Sequence, residues 1–150
     1  MASFAGGVAQ AGYVGRVRDL VPQRCLVVPV DVGKRTAVAL IADHYGQIVV
    51  EPFEFDLTIS GVDKLVAAIV EVCGQVGAQS VRVGVEAAGH YHQALASTLC
   101  GKGFDVVELN PYQVKMSRVQ LGAARVKTDV RDCMAMVELL VRGQGWPVRS

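Results

Sequence analysis

The run Leu26-Val27-Val28-Pro29-Val30-Asp31 constrains the fold more than any other segment. It is short, rich in β-branched residues and unbroken by charge until Asp31, as a buried strand requires. Two more strand-like segments follow at close spacing: Thr36-Ala37-Val38-Ala39-Leu40-Ile41, and Gln47 to Leu57 with Ile48, Val50, Phe53 and Phe55. Asp43-His44-Tyr45-Gly46 between them is turn material. Pro52 cannot donate to a ladder, which predicts an edge or a bulge in the third strand. Three strands joined by tight turns form a meander.

The period then changes. Val62, Leu65, Val66, Ile69, Cys73 and Val76 recur at helical spacing, and Ser60 with Asp63 fits a capping box at the start. Val81, Val83 and Val85 alternate as in a strand. A second helix opens at Gly89, with Tyr91, Leu95 and Leu99 on one face, and stops at Gly101 and Gly103. Asp105 to Leu109 is a fifth strand, ended by Asn110-Pro111. A short helical segment then carries Val114, Lys115, Arg118 and Leu121. A final helix begins near Asp129, with Val130, Cys133, Met134, Val137, Leu140 and Val141 as its apolar face, and Gly143, Gly145 and Pro147 end it. The order β-β-β-α-β-α-β-α-α predicts an α/β fold: a mixed sheet, meander first and βα units after, with helices on both faces. Residues 1–24 are read as a flexible arm, 25–142 as the folded domain and 143–150 as a tail.

At 150 residues one domain is expected, and 51% hydrophobic content excludes a disordered chain. A net charge of +1 excludes a polybasic protein, but the charge is unevenly placed. Residues 41–63 hold Asp43, Glu51, Glu54, Asp56 and Asp63 with no Lys or Arg, whereas residues 110–131 hold Lys115, Arg118, Arg125, Lys127 and Arg131 against Asp129. Such a basic run is ordinarily a solvated surface; beside a carboxylate cluster it becomes an approach path for a polyanion. Cys25, Cys73, Cys100 and Cys133 form no Cys-x-x-Cys pair, which favours free thiols in a reducing compartment. No apolar run has the length of a membrane span and the first basic residue is Arg16, so a cytoplasmic protein is expected.

Carboxylates carry the candidate chemistry. Asp31 ends a buried strand run, where a carboxylate is costly unless paired or metal-bound. Its plainer alternative is a cap on the Gly33 turn. Glu86 follows the alternating strand at the end where open α/β sheets bind ligands; it could instead simply face the next helix's N-terminus. Asp129 and Asp132 lie three apart on one helix face, beside its apolar stripe, and by themselves read best as a capping pair. Together the four make a hard-oxygen set suited to Mg²⁺ or Mn²⁺, whose pairs clamp the attacking and leaving oxygens of phosphoryl transfer. The Gly84-x₄-Gly89-His90 spacing lacks the Lys and Ser/Thr of a P-loop. His90 and His92 stand two apart and do not face one another, which argues against zinc.

The segments Val30-Asp31-Val32-Gly33-Lys34, Glu86-Ala87-Ala88-Gly89-His90-Tyr91, Asn110-Pro111 and Lys127-Thr128-Asp129-Val130-Arg131-Asp132 resemble the N-terminal domain of DEDD insertion-sequence transposases. These form the IS-one-ten and IS-eleven-eleven group of mobile elements. The resemblance runs from about Cys25 to Arg142. It implies an RNase H-like, RuvC-like fold and a role in DNA transposition, with Asp31, Glu86, Asp129 and Asp132 as catalytic and metal-binding residues and Mg²⁺ (or Mn²⁺) as cofactor. It implies DNA as partner, a structured guide RNA, and a homo-oligomer. Lys34, Lys115, Arg118, Arg125, Lys127 and Arg131 would then contact nucleic acid. Cys133 stands where the family often has Ala. Family members continue into a second domain bearing a nucleophilic serine, which nothing here resembles, so a fragment not competent alone is expected.

Two other readings compete. Asp31-Val32-Gly33-Lys34-Arg35-Thr36 also looks like the first phosphate loop of actin-like and sugar-kinase ATPases, which need two lobes and give the final helix acids no role. A non-catalytic nucleic-acid-binding or oligomerisation module would keep the acids only as scaffold.

Overall fold

In the computed structural model the residues described are 24–87, 89–120 and 129–148, and the side chains at 120, 129 and 130 lie outside the description. The chain order is β1 (Cys25–Val32), β2 (Thr36–Ala42), β3 (Ile48–Asp56), α1 (Ile59–Val76), β4 (Ser80–Glu86), α2 (Tyr91–Gly101), β5 (Asp105–Leu109), α3 (Pro111–Gln120), α4 (Asp129–Val141) and β6 (Trp146–Pro147). The strands form one sheet in the order β3-β2-β1-β4-β5-β6. β1 pairs antiparallel with β2 and parallel with β4, so the sheet is mixed, as the sequence predicts.

β1 lies inside this sheet, and its six residues from Cys25 to Val30 are buried. Its alternate residues feed two cores. Leu26, Val28 and Val30 meet α1 and α2 through Leu65, Ile69, Leu95 and Leu99. Cys25 and Val27 meet α3 and α4 through Val114, Cys133, Met136 and Leu140. Helices therefore cover both faces. Burying each Leu or Ile in these layers contributes about 1.5–3 kcal/mol relative to exposure. β3 is the edge strand that Pro52 requires: from Ala39↔Phe53 to Ile41↔Val50 it carries an extra residue, and Pro52 lies in that irregularity.

Four details depart from the sequence reading. The N-cap of α1 is Thr58, not Ser60. Its backbone is extended (φ −125°, ψ 169°) and its hydroxyl accepts from the Gly61 N–H at 3.1 Å. Ser60 is already helical, and Asp63 is exposed, 3.8 Å from Lys102 Nζ. On α2 the inward stripe is His92, Leu95, Ala96 and Leu99, while Tyr91 is about half exposed. α4 is buried almost all round, because α3 covers the side that the sheet does not. Trp146–Pro147, read as tail, pairs antiparallel with β5. Gly145 permits this at φ +114°, where a Cβ would stand 3.0 Å from the Val107 side chain. Leu121, Arg125 and Lys127 lie outside the described residues.

The four cysteines are free thiols, Cys25 and Cys133 buried and the other two half-buried. Burial pushes the Cys73 thiol above its ordinary value, with Cys25 adding to the shift. Among the described residues no helix is long and apolar enough to cross a membrane.

Candidate functional site

Strand parity brings the first two acids together. On β1 the even-numbered residues face α1 and α2, so Asp31 faces α3 and α4 with Cys25 and Val27. On β4 Val83 and Val85 take the α1 side, and Glu86 is turned to the other. The β1–β4 register pairs Pro29 with Gly84 and Val30 with Val85. One further step sets Asp31 beside Glu86 at the C-terminal ends of two parallel strands. Both are half-buried.

α4 crosses this face close to the sheet. Gly84 makes the approach possible, since a Cβ there would lie 2.6 Å from Leu140 Cδ2. The Cys133 thiol sits 3.4 Å from the Val38 carbonyl and 3.9 Å from that of Pro29, so the sulfur fills the seam between α4 and the β1–β2 hairpin. α3 packs against α4 with Val114 fully buried, and its Ser117 hydroxyl donates to the Ala135 carbonyl at 3.2 Å. Asn110 and Pro111 set the start of α3. The Asn110 side chain accepts from the Tyr112 N–H at 2.8 Å, and Pro111 occupies the first helical position, where its missing N–H costs nothing.

These elements enclose a cleft of about 410 Å³ lined by Asp31, Glu86 and Asp132 together with Pro111, Lys115 and Arg118. Asp132 is 8% exposed and forms an ion pair with Arg118, whose side chain is also largely buried. Asp132 thus faces a cation on α3. Asp129 begins the helix that carries Asp132, and its side chain is outside the description. The donor chemistry of Asp31, Glu86 and Asp132 suits a hard divalent cation. Among the described residues, however, no group of three His, Cys, Asp or Glu side chains stands close enough to hold a metal ion.

Lys34 is exposed on the β1–β2 turn, Lys115 is exposed at the cleft, and Arg131 is exposed on α4. Arg125 and Lys127 fall outside the described residues. His92 points inward, its Nε2 2.9 Å from Glu108 Oε2, and His90 is exposed. The Arg118–Asp132 pair was not legible in the sequence, because the partners are 14 residues apart on different helices.

Residues 28–150 match the family model of DEDD transposases of the IS-one-ten type, described as Transposase. The chain belongs to that family. Among solved structures the transposase domain is similar to Thermus thermophilus RuvC in complex with Holliday junction substrate. The identity is 18% and the TM-score 0.53, over 83% of this chain and 99% of that one. A second Thermus thermophilus RuvC structure matches at 17% identity and a TM-score of 0.50, over 82% of this chain and 99% of that one. At these identities the likeness shows the fold: the transposase domain is RuvC-like, hence RNase H-like. No curated protein sequence matches the chain.

Proposed function

We propose that this chain is the DNA-handling domain of a transposase, with Asp31, Glu86, Asp129 and Asp132 as the ligands of a divalent metal site and DNA as the substrate. The observation that carries the reading is the meeting of Asp31, Glu86 and Asp132 in one cleft, from three separate elements, in a chain of this family. Mg²⁺ or Mn²⁺ bound there would neutralise charge developing on a transferring phosphoryl group. Asp31 and Glu86 would hold it from the strand ends, and Asp129 and Asp132 from α4. Lys115 and Arg118 at the cleft, with Lys34, Arg125, Lys127 and Arg131, would draw in the phosphate backbone. The junction DNA in the RuvC complex supports DNA as partner through the shared fold. A structured guide RNA, self-association and a serine-bearing second domain enter the proposal through the family resemblance alone.

The test is Mn²⁺ titration by calorimetry on the wild type, Asp31→Asn and Asp132→Asn. Binding by the wild type, weakened about tenfold or more by each near-isosteric change, is the expected result (about 1.4 kcal/mol per tenfold). Wild-type binding unaffected by either change would place the metal elsewhere and remove the reading.

A further inference from the structure

The cleft contains a cation of the protein's own. The Arg118 guanidinium lies against the Asp132 carboxylate, and both side chains are largely shielded from water. A carboxylate buried this far needs a counter-charge. Arginine suits the place: it is always protonated, weakly hydrated, and forked to match a carboxylate. Asp132 is therefore already compensated before any metal arrives. Of the three acids that line the cleft, Asp132 is thus held by an ion pair to a neighbouring helix.

The pair is not needed to keep α3 on α4. Val114 is fully buried there and the Ser117 hydroxyl reaches the Ala135 carbonyl at 3.2 Å. Asn110 and Pro111 anchor the other end of α3. Lys115, three residues before Arg118, lines the same cleft and supplies a second cation there whatever Arg118 does.

We propose that Arg118 is a positioning residue that occupies Asp132 in the metal-free site and yields it when a divalent cation binds, so that the guanidinium and the cation compete for one carboxylate. The guanidinium, once displaced, remains beside the cleft, where a phosphate is its natural partner. The inference rests on the reading of Asp31, Glu86 and Asp132 as metal ligands. It differs from a purely structural ion pair in one measurable way. Removing Arg118 should lower the stability of the metal-free protein and at the same time raise its metal affinity, because competition is reciprocal. A structural pair, once broken, would loosen α4 and leave affinity unchanged or reduced.

The experiment is calorimetric Mn²⁺ titration of the full chain as wild type, Arg118→Met and Lys115→Met, with circular dichroism to verify folding. Arg118→Gln serves if the Met variant does not fold. Lys115→Met removes the same charge from the cleft and controls for general electrostatics. In parallel, the Arg118 side-chain ¹⁵N signal is followed during titration with diamagnetic Mg²⁺. The expected result is affinity about tenfold tighter in Arg118→Met, within the usual range of coupling between sites. Lys115→Met should change it distinctly less, and the wild-type Arg118 signal should move with metal occupancy. Binding by Arg118→Met where the wild type shows none would support the proposal equally. Wild-type binding that Arg118→Met leaves unchanged or weakens would overturn the proposal and leave the metal site standing. A shift in Lys115→Met as large as in Arg118→Met would also overturn it. Absence of binding in every variant would remove both the metal-site reading and this inference.

Discussion

Gly84 is the residue on which the spacing of the cleft depends. It sits at the middle of β4, and the Leu140 side chain of α4 occupies the space that a Cβ would take. The clashes would be at 2.6 Å, 2.8 Å and 3.0 Å to Cδ2, Cδ1 and Cγ. Leu140 is fully buried among Val27, Met136 and Leu109, so it has nowhere to swing. Gly84→Ala should therefore destabilise by about 1–3 kcal/mol through overpacking. It should also push α4, and with it Asp132, away from Asp31 and Glu86. Leu140→Ala alone should cost about 2–5 kcal/mol by opening a cavity. The double variant should be less damaged than the sum of the two, since the new methyl enters the space that Leu140 leaves. Urea unfolding of the four proteins measures the coupling. Strict additivity would mean that the helix and strand do not meet at this point.

At the scale of elements, the start of α1 shows how a strand hands over to a helix. Gly61 lies against the backbone of Asp56, where a Cβ would fall 1.9 Å from the carbonyl oxygen. That crowding comes from backbone, which cannot rotate away. Gly74, three turns on in the same helix, has nothing within 4 Å of the corresponding position. Two identical substitutions should thus have opposite signs. Gly74→Ala should stabilise by about 0.8–1 kcal/mol through helix propensity, whereas Gly61→Ala should destabilise and displace the β3–α1 junction. Thermal unfolding of the pair decides it, and stabilisation by both would mean that the junction is looser than described. The same region shows what a sequence conveys locally. Alternation at Val81, Val83 and Val85, the proline of the edge strand, and Asn110-Pro111 at a strand-to-helix corner are signals within a few residues, and the fold follows them. The cap lies at Thr58 rather than Ser60 because the chain is still extended at Thr58, two residues past the last β3–β2 pair at Asp56. β6 is two residues long and exists only because β5 offers it an edge, so no periodicity could announce it. The site divides in the same way. Asp31 and Glu86 stand out as carboxylates at strand ends, whereas the pairing of Asp132 with Arg118 arises only when α3 and α4 pack.

Over the whole molecule the uneven charge of the sequence becomes a direction of approach. The acidic segment 41–63 runs from β2 through the β3 edge into α1. Lys115 and Arg131 are exposed on α3 and α4, the pair of helices that flank the carboxylate cleft, and α1 and α2 cover the opposite face. A polyanion should therefore approach over α3 and α4, with its backbone guided towards the cleft by cations rather than by base contacts. Neutralising phosphates releases condensed counterions, so affinity should fall linearly on a log–log plot against salt, with a slope of about −0.9 per phosphate contact on duplex DNA. Lys115→Ala and Arg131→Ala should each lower that slope by about one contact and weaken binding similarly across unrelated sequences. Lys64→Ala, on exposed α1 behind the sheet, should leave it unchanged. Fluorescence anisotropy with a four-way DNA junction and a linear duplex, over a range of salt, measures all three. Equal losses from Lys64 and Lys115 would mean that the backbone tracks no particular face, and the basic run would then be a solvated surface. A slope change confined to α3 and α4 would instead mark these two helices as the face that meets DNA, on the side of the sheet where Asp31, Glu86 and Asp132 converge.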